Sequence, residues 1–160
     1  MTNLNLDISS SALWVINEIS VRDYTSAYTG TSNTGSAEMK VYGTFTPVTD
    51  YFYGCTMQDG STINLSERTT PLNTVSNFTS GKNNLEFAAG ATITVDLSGR
   101  ANLQAVACSA SPYLITWANP PSNGATFVLD DTTRANGYKL GVCDGGLKLC
   151  PRRGMIIIVK

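Results

Sequence analysis

Alternation of apolar and polar side chains is the main pattern along this chain. The clearest case is 91–97, Ala-Thr-Ile-Thr-Val-Asp-Leu, in which the apolar residues take every second position. A period of two places them on one face of a β-strand. Shorter runs of the same kind recur from Leu4 to Val159. The pattern predicts roughly nine to eleven short strands.

The runs are separated by loops rich in Ser, Thr, Asn and Gly, a spacing typical of β-sandwiches and barrels. We therefore expect an all-β fold, an antiparallel, jelly-roll-like β-sandwich. A short helix competes with a strand only near 103–108, where alanines accumulate. We find no internal repeat and no shift in composition, so 1–160 is expected to form a single domain, with 1–8 available as an N-terminal arm.

Two segments carry the signals of a β-hairpin. Asp59-Gly60 lies between the strand-like runs 51–58 and 61–65, and Asp-Gly favours a type I′ turn between paired strands. The second hairpin is expected near the C-terminus, where Asp144-Gly145-Gly146 separates 138–143 from 147–150. A last strand is expected at 154–159. By contrast, 69–84 is mostly polar, which predicts a long surface connection.

The composition of the chain limits the kinds of partner that it is expected to bind. Only 14% of the residues are charged and the net charge is −1, so the polar surface must consist largely of Thr, Ser and Asn. A nearly neutral chain has no electrostatic field to attract a polyanion, and we expect no nucleic-acid partner. The first residues lack the features of a signal peptide, and no apolar run reaches the roughly 20 residues of a membrane helix. We expect synthesis in the cytoplasm and no membrane partner.

The chain contains no histidine. This excludes Ser-His and Cys-His nucleophile pairs, an imidazole base and histidine metal ligands. Carboxylate, lysine or tyrosine chemistry stays open, but no pair of residues stands out for it. We therefore expect no enzyme activity and no cofactor.

The four cysteines are Cys55, Cys108, Cys143 and Cys150. Zinc sites favour close pairs such as Cys-x2-Cys, and none is present. In the expected terminal hairpin, Cys143 and Cys150 would lie roughly 10 Å apart along the strands, whereas a disulfide needs Cα atoms within about 7 Å. We expect four free thiols.

Two groups of side chains are candidates for a binding site. Asp130-Asp131 begins the densest cluster of oxygen atoms, which suits either a calcium ion or the start of a turn. Tyr51, Tyr53 and Trp117 could form a stacking platform for a sugar ring. The other interpretation of these aromatics is ordinary packing within the core and across strands.

The signal-less start MTNLNLDISSS and the polar loops TGTSNTGSAEMK and NFTSGKNN resemble small virion proteins of tailed bacteriophages, of the cement, decoration or tail-accessory type. The absence of recognisable catalytic groups and the strand expected at 154–159 are also similar to such virion proteins. The resemblance implies a structural, non-enzymatic virion component. It would assemble as a homo-oligomer and contact other copies of itself and capsid or tail proteins.

Partner contacts are expected at both ends of the chain. Leu4 and Leu6 belong to an alternating run that could add a strand to the sheet of a neighbouring subunit. Arg152-Arg153 is the only basic pair and could meet an acidic partner. The alternative function is a carbohydrate-binding or adhesion module that uses the surface aromatics and loops.

Overall fold

The computed structural model describes residues 18–26, 38–75 and 84–152. These residues form thirteen strands and two short helices. The strands are β1 Glu18–Val21, β2 Tyr24–Ser26, β3 Glu38–Val41, β4 Thr44–Pro47, β5 Cys55–Met57, β6 Thr62–Asn64, β7 Leu72–Asn73, β8 Leu85–Phe87, β9 Thr92–Asp96, β10 Tyr113–Thr116, β11 Thr126–Leu129, β12 Tyr138–Cys143 and β13 Gly146–Pro151. The helices are α1 Leu103–Ala107 and α2 Asp131–Ala135.

Two parallel sheets account for most of the strands. Sheet A has the order β1-β3-β5-β8 and sheet B the order β2-β4-β6-β9-β11. Every strand pair in both sheets is parallel. From β1 to β6 the strands alternate between sheet A and sheet B, and β8 and β9 continue this alternation. Each time the chain returns to a sheet, the new strand pairs with the previous strand of that sheet. This winding is that of a β-solenoid, in which each coil contacts mainly its neighbours.

The expected antiparallel, jelly-roll-like sandwich is therefore wrong, although the chain is rich in strands and poor in helix. Alternation of apolar and polar residues shows which face of a strand is buried. It does not show the direction of the neighbouring strand, because the period of two is the same in parallel and antiparallel sheets. Connections that cross to a second sheet make the parallel arrangement possible here.

The predicted hairpin at Asp59-Gly60 is also wrong. The strands on either side of it, β5 and β6, belong to different sheets and do not pair. The turn closes with Ser61 N–H donating to the Gln58 carbonyl at 3.1 Å, and Gly60 has a φ of 75°. Asp59 keeps a negative φ, which fits a type II turn and not the predicted type I′. The turn bends the chain around a corner of the solenoid.

A short repeat links two adjacent coils. Residues 90–96, Gly-Ala-Thr-Ile-Thr-Val-Asp, match 124–130, Gly-Ala-Thr-Phe-Val-Leu-Asp, at four of the seven positions. The segments lie side by side as β9 and β11, with Thr92 opposite Thr126, and both glycines have a positive φ. This repeat is hard to recognise in the sequence, because a long segment separates the two copies and the coils differ in length.

The core lies between sheets A and B. Inward-pointing side chains stack on their counterparts in the next coil, because the strands are in register. The buried columns are Met39–Cys55–Leu85, Val41–Met57–Phe87 and Phe45–Ile63–Val95–Leu129. Because each column continues through several coils, one apolar core extends along the solenoid.

Threonine is common on the outward face of sheet B. Residues that alternate with the buried column positions point outward, and among them are Thr25, Thr44, Thr46, Thr62, Thr92, Thr94 and Thr126. Neighbouring hydroxyls approach each other, as between Thr92 and Thr126 at 3.3 Å. β-Branched residues suit this pleated surface. The face explains how a chain with few charges obtains its polar surface.

A third sheet, with the order β12-β13-β10-β7, adjoins the solenoid. Its β12–β13 hairpin confirms the prediction at the C-terminus: Cys143 lies opposite Gly146, and Cys150 opposite Lys139. The short helix expected as a competitor near 103–108 is also present, as α1. Neither helix in the described part of the chain has the length and hydrophobicity to span a membrane.

The segment 69–84 was predicted as a surface connection, and this is wrong for its described first part. Leu72 is fully buried in β7, which pairs in parallel with β10. Val75 and Asn84 form an isolated antiparallel bridge. An isolated leucine in a polar stretch was too weak a signal for a strand.

Candidate functional site

The three aromatic residues of the expected sugar platform have different environments. Trp117 is only 7% exposed; its indole N–H donates to the Cys143 carbonyl at 3.0 Å and its ring stacks on Phe127. Tyr53 is half-buried, and its backbone N–H donates to the hydroxyl of Tyr24 at 2.9 Å. Tyr51 has an exposed ring. Of the three, only Tyr51 offers a large area on which a sugar ring could stack.

The expected partner contacts are described only in part. Leu4, Leu6 and Arg153 lie outside the described residues. Arg152 is exposed, and its backbone N–H donates to the Gly137 carbonyl at 2.7 Å. Its side chain is thus positioned at the surface, just beyond the end of β13.

The oxygen cluster at Asp130-Asp131 is used within the fold. Asp130 caps α2: its Oδ1 accepts from Thr133 N–H at 2.8 Å, and its Oδ2 accepts from Leu97 N–H at 2.9 Å. Burial raises the pKa of Asp130, but these hydrogen bonds outweigh it and the pKa lies below the ordinary value. Asp131 pairs with Arg134 at 2.6 Å. The turn interpretation accounts for these contacts.

The cysteines are free thiols, as predicted. Cys55 is buried in the core, Cys108 is exposed, and Cys143 and Cys150 are half-buried. Burial, with a smaller effect of the nearby Glu86, raises the pKa of Cys55 to about 12. Among the described residues, no three Cys, Asp or Glu side chains form a group that could hold a metal ion.

The last strand of sheet B, β11, presents an edge to which no other strand of the described residues pairs. Thr126 N–H donates to the Ala91 carbonyl at 2.8 Å, and Asp130 N–H donates to the Val95 carbonyl at 3.1 Å. Successive residues of a strand point their backbone groups to opposite sides, so Phe127 and Leu129 direct theirs away from β9. Within the described part of the chain, these groups have no hydrogen-bond partner.

The corresponding edge of sheet A is covered. Leu85 N–H donates to the Thr74 carbonyl at 2.7 Å, and the Phe87 carbonyl accepts from the Asn123 side-chain amide at 2.7 Å. Gly90 N–H also donates to the Asn123 carbonyl at 3.0 Å. The loop that carries Asn123 therefore caps β8. No such loop satisfies β11 among the described residues, although β12 runs nearby and pairs with β13.

The side chains of β11 are also more exposed than those of β9. In β9 the inward-pointing Ile93 and Val95 are fully buried, whereas in β11 Phe127 is half-buried and Leu129 is 6% exposed. Val128 on the outward side is 40% exposed. The strand Thr126–Leu129 carries no charge and no proline, the features that usually protect an edge. We call Thr126–Leu129 the open edge.

Nothing in the sequence of Thr126–Leu129 indicates that this strand lies at an edge. That position depends on the order of the strands, which is set by contacts between distant segments. Comparisons of the chain with protein-family models, with the sequences of curated proteins and with solved structures return no match.

Proposed function

We propose that this chain is a non-enzymatic structural component of a virus particle, and that it works through contacts with other copies of itself and with capsid or tail proteins. The observation that carries the proposal is the open edge. A row of unpaired N–H and C=O groups is a template for a strand from another chain. The resemblance to small virion proteins of tailed bacteriophages supplies the setting.

The physical properties of the edge favour association. A strand added beside β11 would give hydrogen-bond partners to the backbone groups of Phe127 and Leu129. The terminal coil of a solenoid protein normally carries a polar cap that keeps the protein soluble. The strand β11 has no charged residue that could serve as such a cap. A second chain can act as that cap.

The threonine face of sheet B agrees with burial in an assembly. Hydroxyl groups lose less favourable hydration on burial than ammonium or carboxylate groups do. Interface cores are depleted in charged residues. A face of this kind can therefore enter a protein–protein contact at a small desolvation cost.

The open edge can be tested by placing a lysine on it. We expect the wild-type chain to form oligomers whose mass rises with concentration, measured by sedimentation velocity. Val128→Lys should shift it to the monomer, because a charged side chain protects an edge from pairing. The matched control is Val48→Lys, which adds the same charge at a 59% exposed valine in the loop after β4 and should leave association unchanged.

A monomeric wild-type chain, or equal effects of the two lysines, would contradict association through β11. The virion setting needs a separate test, because a self-associating protein is not always viral. We expect genes next to its coding sequence to encode capsid or tail components. We also expect the protein to be detected by mass spectrometry in purified particles of that virus. Neighbouring genes of cellular metabolism would contradict the setting without affecting the edge.

A further inference from the structure

A surface pocket of about 830 Å³ lies beside α1. It is bordered by the segment that enters α1, by α1 itself, and by the end of α2 with the start of β12. The lining residues are Arg100, Asn102, Leu103, Gln104, Ala105, Cys108, Asn136 and Tyr138. The pocket thus contains one guanidinium, several amides and a phenol, and none of these lining residues is acidic.

Within the described part of the chain, Arg100 has fewer partners than a half-buried cation normally has. Its Nη1 is enclosed and has no hydrogen-bond partner among the described residues. Its Nη2 makes one long bond of 3.4 Å, to the Thr69 carbonyl. Burial, together with the nearby Arg68, lowers the pKa of Arg100. An enclosed charge without a counter-charge is costly, and an anion in the pocket would relieve that cost.

Arg68, by contrast, is occupied. Its Nη2 contacts the Asp50 carboxylate at 2.5 Å, and its Nη1 donates to the backbone carbonyls of Pro47 and Thr49. The two arginines therefore differ in their function within the fold. Arg68 holds loops together, whereas the guanidinium of Arg100 has donors to spare.

We propose that this pocket binds an acidic sugar of the hexuronate type, with its carboxylate on Arg100. The guanidinium is planar, and its Nε–H and Nη2–H donors lie parallel on the edge away from the enclosed Nη1, so this edge can meet a carboxylate. The side-chain amides of Asn102, Gln104 and Asn136 both donate and accept, which suits the hydroxyl groups of a sugar ring. This inference is independent of the proposed function and involves none of the aromatic residues considered from the sequence.

The first experiment compares matched ligands on the wild-type chain. Galacturonate, its methyl ester and galactose are titrated into isotope-labelled protein, and the side-chain amide signals of Asn102, Gln104 and Asn136 are followed by NMR. Galacturonate is expected to shift these signals. The ester and galactose are expected to bind at least about tenfold more weakly, because they cannot form the charge-assisted pair. Equal binding of all three, or no shift with galacturonate, would overturn the proposal.

The second experiment changes the cation. Arg100→Gln is expected to weaken galacturonate binding by about tenfold or more. Arg100→Lys should weaken it less, because lysine keeps the positive charge but cannot offer two parallel hydrogen bonds to the carboxylate. Arg134→Gln is the control, because it removes an exposed positive charge outside the pocket. Unchanged binding in Arg100→Gln would overturn the proposal. So would tight binding of acetyl-Gly-Gly with none of galacturonate, which would assign the pocket to a peptide carboxylate.

A third readout uses the thiol in the pocket wall. Cys108 is exposed, while Cys55 is buried, so a maleimide should modify Cys108 much faster than Cys55. We expect galacturonate to slow the modification of Cys108 and galactose to leave its rate unchanged. Equal rates with both sugars would contradict a ligand held in this pocket. This readout needs no variant and does not depend on whether Arg100→Gln folds.

Discussion

At the scale of single residues, one charged side chain, that of Arg68, holds several loop segments together. This side chain is only 8% exposed and meets the loop after β4 through Pro47, Thr49 and Asp50. It also donates to Thr70 and Pro71 on its other side. Hydrogen bonds from an enclosed charged group are among the stronger contacts in a fold.

Replacing Arg68 should therefore be costly. We expect Arg68→Gln to lower the free energy of unfolding by about 1.5–3 kcal/mol, the range for hydrogen bonds to charged groups, measured by urea denaturation. Arg134→Gln is the comparison, since its pair with Asp131 is exposed and such pairs contribute about 0–1 kcal/mol. A loss in Arg68→Gln no larger than in Arg134→Gln would contradict the fastening role.

Asp130 gives a prediction about pH. Because its folded-state pKa is depressed, its contribution to stability is fully present above the unfolded value of about 3.9, and it is lost as the pH falls through the folded value. We expect Asp130→Ala to cost about 1–2 kcal/mol at neutral pH, as for a lost helix N-cap. The difference from wild type should shrink below about pH 4.

The neighbouring Asp131→Ala is the control for Asp130→Ala. Asp131 is exposed and bonds only to the Arg134 side chain among the described residues, so a small effect is expected. A difference between Asp130→Ala and wild type that stays constant from neutral to acid pH would contradict the role given to the carboxylate.

At the scale of elements, features that depend on contacts between nearby residues could be predicted from the sequence. Features that depend on contacts between distant segments could not. β9 was predictable because Thr92–Asp96 alternates cleanly, and the β12–β13 hairpin because its two strands pair across a short turn. The Asp59-Gly60 turn was misread, since the same residues can join paired strands or turn a corner between sheets. The choice depends on the neighbouring coil: the Asp59 carboxylate accepts from Thr92 N–H, and Gly60 N–H donates to the Thr92 carbonyl.

Two adjacent glycines in the β12–β13 turn test the packing of the third sheet. A Cβ on Gly146 would overlap the backbone carbonyl of Ile115, whereas one on Gly145 would meet only the hydroxyl end of Tyr113 at 3.1 Å. We expect Gly146→Ala to cost about 1–3 kcal/mol, as overpacking does, and Gly145→Ala to stay within about 0.5 kcal/mol. Chemical denaturation of both variants measures this. Equal costs would mean that β10 and β13 are not in close contact there.

At the scale of the whole molecule, strand order and direction could not be predicted from the sequence. The open edge exists because β11 is the last described strand of sheet B. The pocket at Arg100 exists because α1 lies near the segment that joins α2 to β12. Nothing local to Phe127 or Arg100 indicates either feature. The four matching positions of 90–96 and 124–130 were the one available signal of stacked coils, and they are far apart in the chain.

The central claim is that sheets A and B are wound in parallel coils. The core and the open edge both depend on that winding. The most direct test is the pattern of backbone nuclear Overhauser contacts in the labelled wild-type chain. The structure predicts contacts of Ile63 with Phe45 on one side and with Val95 on the other. Contacts of Ile63 with Thr56, which a hairpin across Asp59-Gly60 would produce, would contradict the parallel winding.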